Sequence, residues 1–500
     1  MALSPAAGVA RPDLPDVDFD FDEATWRRVG QRFLDIAISA STGWDGRPPA
    51  PDASPAEARA RLVRDLPAKG VDPTLLADRL ATDLMPLSGF NGHPRWLAWI
   101  TSSPNPIGVL ASLVAAALNQ NTALWRAAPG ATTIELQAIA WIGSLIGYPP
   151  GSEGIFSSGG QLANTIAHAV ARDRMAGWDV RHLGAAGPDG SPRLRVYASD
   201  QSHYCHEQSM ELLGLGREAI RLVPSDDAYR MRMDSLAAMV AEDRARGFWP
   251  ITVVAAAGTV GTGAVDPIPE IISFGRDEGV WVHVDGAYAA FAAIAPSAPT
   301  ALAAMGEADS IACDPHKWLY APIDAAVTLF REPGALEGSF AFHAAYLQTG
   351  DDPERIDLLE RSPENSRPFR ALKVWLALQA YGRDGYAAMI ERNIRLAAYL
   401  ESLVRATPGL VLAAPRELSI TCWRVEPAAL AADPEKLEAL QRRVIEQLER
   451  RGIALVSNAT LHDGRTALRA CIVNFRTGPG DVEAVVAASA ELGEELAPSI

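Results

Sequence analysis

The segment DPHKWLY, Asp314 to Tyr320, sets one lysine directly after a histidine and between Pro315 and Trp318, at the end of an apolar run. Most lysines are solvated surface charges. Enclosure of Lys317 by aromatic and apolar groups would disfavour its ammonium form, lower its pKa and free the amine to attack an aldehyde. Upstream, WVHVDGAYAAF ends an alternating apolar run on Asp285, where a carboxylate is costly without a cationic partner. A helix cap or a salt bridge would meet that need. So would the protonated ring nitrogen of pyridoxal 5′-phosphate (PLP), which a carboxylate keeps charged so that the ring draws electrons.

Two further segments carry polar groups of the right kind. SSGGQLANTIAHAVARDR, Ser157 to Arg174, joins a glycine-rich turn to a helix, presenting free backbone N–H groups and a positive dipole end to a phosphate. It lacks the Gly-Lys-Ser/Thr ending of a nucleotide-binding P-loop, and many Gly-Gly turns bind nothing. SDQSHYCHEQ, Ser199 to Gln208, offers His203 and His206 without the partners that a metal site requires, so no metal is expected and a stacking or acid–base role for one of them is.

These groups need a scaffold. Between Pro106 and Trp375 short apolar runs alternate with helical patterns: Leu194 to Tyr197, Ile251 to Ala257, Val280 to Val284, Ser310 to Cys313 and Ala325 to Phe330. This pattern predicts a mostly parallel sheet covered by helices, with ligands gathered at the carboxyl ends of the strands. Ser199-Asp200, Asp285 and Asp314 to Lys317 all follow such runs. Beyond Trp375, helical stretches at Met389 to Val404 and Glu435 to Arg451 and strand-like Ser419 to Val425 and Leu468 to Phe475 predict a small α/β domain. The expected division is therefore 1–105, an N-terminal helical segment; 106–375, a large domain; and 376–500, a small one. In the first of these Asp22 is placed to cap a helix carrying Trp26, Val29, Phe33 and Ile36 at helical spacing, and GWDGRPPAPDASPAEA reads as a connector. The apolar stretch Pro106 to Leu118 is too short to span a bilayer and is expected as a buried helix.

The formal charge of -16, from 45 Lys+Arg against 61 Asp+Glu, disfavours nucleic acid and anionic membranes as partners. Four dispersed cysteines signal neither a disulfide framework nor a zinc site, and the N-terminal stretch does not read as a signal peptide; a cytoplasmic protein is expected.

Taken together, the segments HPRWLAWITSS, PGATTIELQ, GIFSSGGQLAN, SDQSHY, HVDGAYA, DPHKWL, RPFRALKVWLALQAYG and LRACIVNF resemble, in order and spacing, the group II PLP-dependent amino-acid decarboxylases. The resemblance runs from about Asn91 to Phe475. It implies the aspartate aminotransferase-like fold, type I of the PLP enzymes, with a mostly parallel seven-stranded sheet. It implies that Lys317 holds PLP as a Schiff base, Asp285 pairs with the ring nitrogen, Ala287 packs on one ring face and His203 stacks on the other. Gly160, Gln161 and His316 would lie against the phosphate, with Thr259 close to the ring. The family often has Ser at Gln161 and Asn at Asp314; a carboxylate beside a phosphate is repulsive, so Asp314 is expected to point away or to pair with a cation.

GSFAFHAAYLQTGDD resembles the family's mobile active-site loop, and its Tyr346 would protonate Cα after CO2 leaves. Family members with Phe there tend to become aldehyde synthases. By the same resemblance Trp96, Trp99 and Ile100 line the entrance, with Asn121, Ala123 and Trp125 from the same or a partner subunit. Trp and Ile favour an aromatic substrate. Asn121 and Ala123 imply a wider pocket or a hydrogen bond, which leaves glutamate, aspartate or histidine open, as is oxidative deamination to an aldehyde; a PLP-binding protein without turnover is disfavoured by the full set of site residues. A homodimer with shared active sites is implied, the N-terminal helix packing on the partner.

Overall fold

The computed structural model describes residues 19–44, 46–342 and 354–500. By their contacts these form two units, one of residues 53–88 with the described part of 1–45, the other of 46–52 with 89–500.

In the first unit the predicted cap is present: the Asp22 carboxylate accepts from the Thr25 amide at 2.7 Å and starts the helix Glu23–Ser41. Of the apolar residues on that helix only Val29 is buried; Trp26 and Phe33 are 58% and 43% exposed. Part of the expected connector is instead helical. Ser54 accepts from the Glu57 amide and caps the helix Pro55–Leu62, with proline at its first position, where a missing N–H costs nothing.

The second unit is built on a seven-stranded sheet: β1 (Glu153–Ser157), β2 (Leu194–Ser199), β3 (Ile220–Val223), β4 (Trp249–Ala256), β5 (Trp281–Asp285), β6 (Ser310–Cys313) and β7 (Ala326–Phe330). Their order across the sheet is β1-β7-β6-β5-β4-β2-β3. The pairs from β3 through β6 are parallel, and β7 runs antiparallel to both of its neighbours. β1, β2, β6 and β7 are buried along their whole length, as strands covered on both faces must be. A second sheet joins β8 (Leu410–Leu412), β9 (Ile420–Val425), β10 (Ser457–Thr460) and β11 (Thr466–Cys471) in the order β10-β11-β9-β8. Its core of Trp423, Leu468, Leu440, Val444, Val482 and Val485 is closed by the helices Pro434–Arg450 and Pro479–Leu496.

Residues 89–105, which the sequence groups with the N-terminal segment, are stitched to this second sheet. Leu97 donates to the Leu455 carbonyl and accepts from the Cys471 amide, both at 2.8 Å, and Trp96 bridges Leu455. The helix Pro106–Leu118 forms, but it is not buried within the chain: only Gly108 and Ala111 are, while Leu113 is 63% exposed. Its glycine face packs so closely that a Cβ on Gly108 would meet Pro322 at 2.5 Å, which leaves the leucine face outward. Among the described residues no helix is long and apolar enough to cross a membrane.

Candidate active site

The site lies where parallel strands end. Asp285, the last residue of β5, is level with Ala256 of β4 and Ala312 of β6, so the turns that follow these strands open at one end of the sheet. Lys317 stands in the one-turn helix Pro315–Trp318 just after β6. That turn is held by Trp318, which is fully buried, stacks on Tyr288 at 4.9 Å and donates to the Asn393 side chain at 3.2 Å.

Lys317 Nζ lies 3.1 Å from Asp314 Oδ2, and His316 Nε2 lies 3.5 Å from the same oxygen. Asp314 therefore pairs with a cation, one of the two arrangements expected for it. The lysine corrects a different expectation. Burial is the largest single influence and does favour the neutral amine, but the charges of Asp314 and Asp285 outweigh it, so the Lys317 pKa is held above its ordinary value rather than below.

Asp285 receives the Ala287 amide on Oδ1 and His206 Nε2 on Oδ2, each at 3.1 Å. Burial pushes its pKa up, yet the hydrogen bond and charge of His206 and the charge of Lys317 together hold it well below the usual carboxylate range. A carboxylate kept ionised is what a protonated pyridine nitrogen requires.

The helix Gly160–Met175 begins at Gly159 with no side-chain cap, so its first N–H groups are free to face an anion. Here glycine is required by closeness. A Cβ on Gly160 would sit 2.9 Å from Asp314 Oδ2 and 3.3 Å from Ala287 Cβ, and one on Gly159 would touch His316 at 3.8 Å. The structure thus brings Gly160, Ala287, Asp285, Asp314, His316 and Lys317 together. An amine, a retained carboxylate, uncapped amides and a glycine cradle are the donor set that PLP needs, so the residues present fit it. The Gln161 side chain goes elsewhere, its Nε2 donating to Cys205 O at 3.2 Å and Ser209 Oγ at 3.3 Å. Only its backbone amide is left for a phosphate, because the side chain ties this helix to Cys205–Leu212.

His203 lies in the turn after β2, its Nδ1 accepting from the Cys205 amide at 3.1 Å. Thr259 is buried in the turn after β4, its hydroxyl accepting from the Ala264 amide at 3.1 Å. Tyr346 falls outside the described residues. Of the expected pocket residues, Trp99 is exposed and held at a positive φ of 53°, and Ile100 is half-buried. Trp96 is instead a packing residue, 8% exposed against Leu455. Ala123 is buried. Asn121 is not free to meet a substrate: its Oδ1 accepts from the amides of Ala123 at 3.1 Å and Arg367 at 2.9 Å, fastening this loop to the chain before the long helix Ala371–Ala406.

One clustering and one residue went unread in the sequence. Cys205, His206 and Asp285 have potential ligand atoms within 4.8 Å of one another, but both nitrogens of His206 are engaged in hydrogen bonds, to Asp285 and His168. Arg469, on β11 and 3% exposed, donates to the carbonyls of Gly261 and Trp99, both at 3.0 Å, and to Ser457 Oγ at 3.1 Å. Its Nη2 is buried without a partner, and among the described residues no carboxylate pairs with it. Cys471 lies within electrostatic reach of both Arg469 and Lys317. The signal was present in ALRAC: an arginine inside an otherwise apolar strand.

A family model described as the pyridoxal-dependent decarboxylase conserved domain matches residues 55–426. The chain is 30% identical over 475 residues to the aromatic-L-amino-acid decarboxylase of Bacillus atrophaeus, covering 95% of this chain and 96% of that one. It is 28% identical over 419 residues to a phenylacetaldehyde synthase of Petunia hybrida, covering 82% and 81%. The crystal structure of Oryza sativa TDC with PLP and tryptamine superposes with a TM-score of 0.89 at 25% identity, covering 96% of this chain and all of that one.

Proposed function

Because the chain belongs to the pyridoxal-dependent decarboxylase family, and is on that ground a PLP-dependent carboxy-lyase of fold type I, we propose that it converts an aromatic L-amino acid to its amine and CO2. The observation that carries this reading is the convergence of Lys317, Asp285 and the Gly159–Gly160 turn at one end of the sheet, with a buried Arg469 that has no carboxylate partner among the described residues and lies, like Lys317, within electrostatic reach of Cys471. The aromatic substrate is supported by the named relatives. When bound, PLP supplies a ring that accepts the electron pair released as the bond from Cα to the carboxylate breaks.

The residues divide the remaining work. The Lys317 amine would hold the cofactor aldehyde, losing its proton to do so, with Asp314 at 3.1 Å the nearest acceptor. Asp285 would keep the ring nitrogen protonated. The free amides at Gly160 and Gln161 would hold the phosphate, beside His316. Ala287 and His203 would flank the ring, with Thr259 near its edge. Arg469 would take the substrate α-carboxylate, setting the bond to be broken perpendicular to the ring. Such a contact also stabilises the ground state, so it contributes binding and orientation more than rate. Tyr346 would return a proton to Cα.

Formation of an aldehyde with consumption of O2 is the second reading, favoured by the likeness to phenylacetaldehyde synthase. We further place the enzyme in the cytoplasm as a homodimer: Cys205, Cys313, Cys422 and Cys471 are all unpaired, and Trp26, Phe33 and Leu113 present apolar surface that a second copy would cover. Gel filtration of an active monomer would contradict the dimer. The cofactor assignment is tested by the visible absorbance of the purified protein. It should disappear in Lys317→Ala; a covalently held chromophore persisting in that variant would overturn it.

A further inference from the structure

Behind Asp285 the chain builds a relay of buried imidazoles. His206, 0% exposed, meets Asp285 Oδ2 through Nε2 at 3.1 Å, and its Nδ1 meets His168 Nε2 at 2.9 Å. His168, 2% exposed, ends the line, its Nδ1 without a partner among the described residues. The rings of His168 and His206 stand edge to face at 5.2 Å. The remaining histidine of this cluster, His283 on β5, is outside the line: its two nitrogens are satisfied by Asn164 Oδ1 at 2.7 Å and Ser310 Oγ at 2.9 Å.

Three histidines packed in a sheet–helix interface are an expensive way to fill space, since each polar nitrogen must be satisfied or left at a cost. The direction of the hydrogen bonds shows what the arrangement does. Asp285 has only acceptors, so His206 Nε2 must carry a proton. If His206 also carried one on Nδ1, His168 would have to accept it, leaving a proton on its own Nδ1 and an orphaned buried donor. If His206 Nδ1 accepts from His168 Nε2–H, the orphan is a bare lone pair. Burial lowers the His206 pKa, but Cys205 and Asp285 together outweigh it and raise the pKa to about 10, favouring the charged form; beside a protonated ring nitrogen, which compensates Asp285, this second state needs no extra buried charge. The bond made by one imidazole nitrogen fixes the tautomer of the other, so His168 aims the His206 proton at Asp285.

We propose that His206, aimed by His168, is a positioning residue that holds Asp285 ionised and oriented toward the cofactor ring nitrogen. Every charged or titratable group facing His206 is consistent with that task. Cys205 adjoins it on the helix Cys205–Leu212, His168 faces it from the helix Gly160–Met175, and His283 and Asp285 from β5, with Lys317 beyond Asp285. His168 and His283 are both driven toward the neutral form, burial being the chief cause, so neither takes the proton that His206 presents to Asp285.

The proposal rests on Asp285 being the ring-nitrogen partner, and the experiment separates the two claims. Protein reconstituted with ring-15N-labelled PLP is examined by NMR for protonation of the ring nitrogen, and PLP affinity is measured by titrating the apoprotein. His206→Phe should leave the ring nitrogen unprotonated and weaken PLP binding about ten- to hundredfold, the scale of a lost hydrogen bond to a charged group. His206→Gln, which keeps an N–H near the Nε2 position, should restore both. A protonated nitrogen and affinity within about twofold of wild type in His206→Phe would overturn the relay. Should that variant not fold, His168→Leu carries the test: binding weakened about two- to tenfold supports the relay, and unchanged binding overturns it. Asp285→Asn is the reference. A ring nitrogen still protonated there removes Asp285 from its role, whereas loss in Asp285→Asn with retention in His206→Phe removes the relay alone.

Discussion

Replacing Arg469 with methionine should separate stability from function. The guanidinium gives three hydrogen bonds to neutral acceptors, at 3.0, 3.0 and 3.1 Å. At about 1.5 kcal/mol each, the low end for bonds from a charged donor, their loss costs roughly 4.5 kcal/mol. Against this stands the burial of a charge with no counter-ion among the described residues, a burden of several kcal/mol that the unbranched, apolar methionine removes. The two nearly cancel, so the variant should unfold within about 2 kcal/mol of wild type. The substrate, however, loses a charge-assisted contact of about 1.5–3 kcal/mol, which is a rise in KM of roughly 10- to 150-fold. Because that contact is made in the ground state as well as in the transition state, KM should rise by more than kcat falls. Urea unfolding and steady-state kinetics on the same preparation give both numbers. A loss of stability above about 4 kcal/mol together with an unchanged KM would show that Arg469 is a strut between Gly261 and Trp99 and nothing more.

Other expectations follow from single contacts. Gly160→Ala drives a Cβ to 2.9 Å from Asp314 Oδ2 and displaces the carboxylate that pairs with Lys317, so PLP affinity should fall at least about tenfold for a stability cost of about 1–3 kcal/mol; equilibrium dialysis measures the first and thermal unfolding the second. His283 is pushed by burial, and secondarily by the charge of His206, from 6.5 down to about 3. The unfolded chain binds that proton near pH 6.5 and the folded one does not, so the associated stability is complete above pH 6.5 and is lost as pH falls toward 3. The slope is about 1.4 kcal/mol per pH unit, and urea midpoints of His283→Gln between pH 6.5 and 4 should decline more shallowly by one proton. Tyr346→Phe should shift products from amine toward aldehyde, read by chromatography with an oxygen electrode; an unchanged profile would withdraw the proton-donor role.

The large sheet was legible because its strands are apolar on both faces and end on chemistry. β6 stands at Ser310–Cys313, where the sequence places it. β1 was hidden because its EGIFS runs straight into the glycine turn, which drew attention to the turn and not to the strand before it. β3 is four residues, with Arg221 in its middle, too short and too polar to stand out. The antiparallel run of β7 is a matter of which strand it meets, which no local pattern encodes.

At the site, residues fixed by their own neighbours in sequence were readable: Asp285 at a strand end, Lys317 in its aromatic turn, the glycines at a helix start. Those whose task depends on distant partners were not. Asn121 looked available to a substrate, but Arg367 claims it; Gln161 looked aimed at a phosphate, but Ser209 claims it. The sign of the Lys317 shift depended first on Asp314, which the short helix turns back to 3.1 Å from the amine, and then on Asp285, brought close by the pairing of β5 with β6. Arg469 gained meaning only once its Nη2 was seen to be unpartnered.

The most direct test of the central claim is to supply the holoenzyme with tryptophan, tyrosine, phenylalanine, DOPA, glutamate, aspartate and histidine in turn, measuring CO2, amine and O2 together. The account predicts equimolar CO2 and amine from an aromatic substrate with no O2 consumed. CO2 released only from glutamate, aspartate or histidine, or accompanied by aldehyde and O2 uptake, would contradict it.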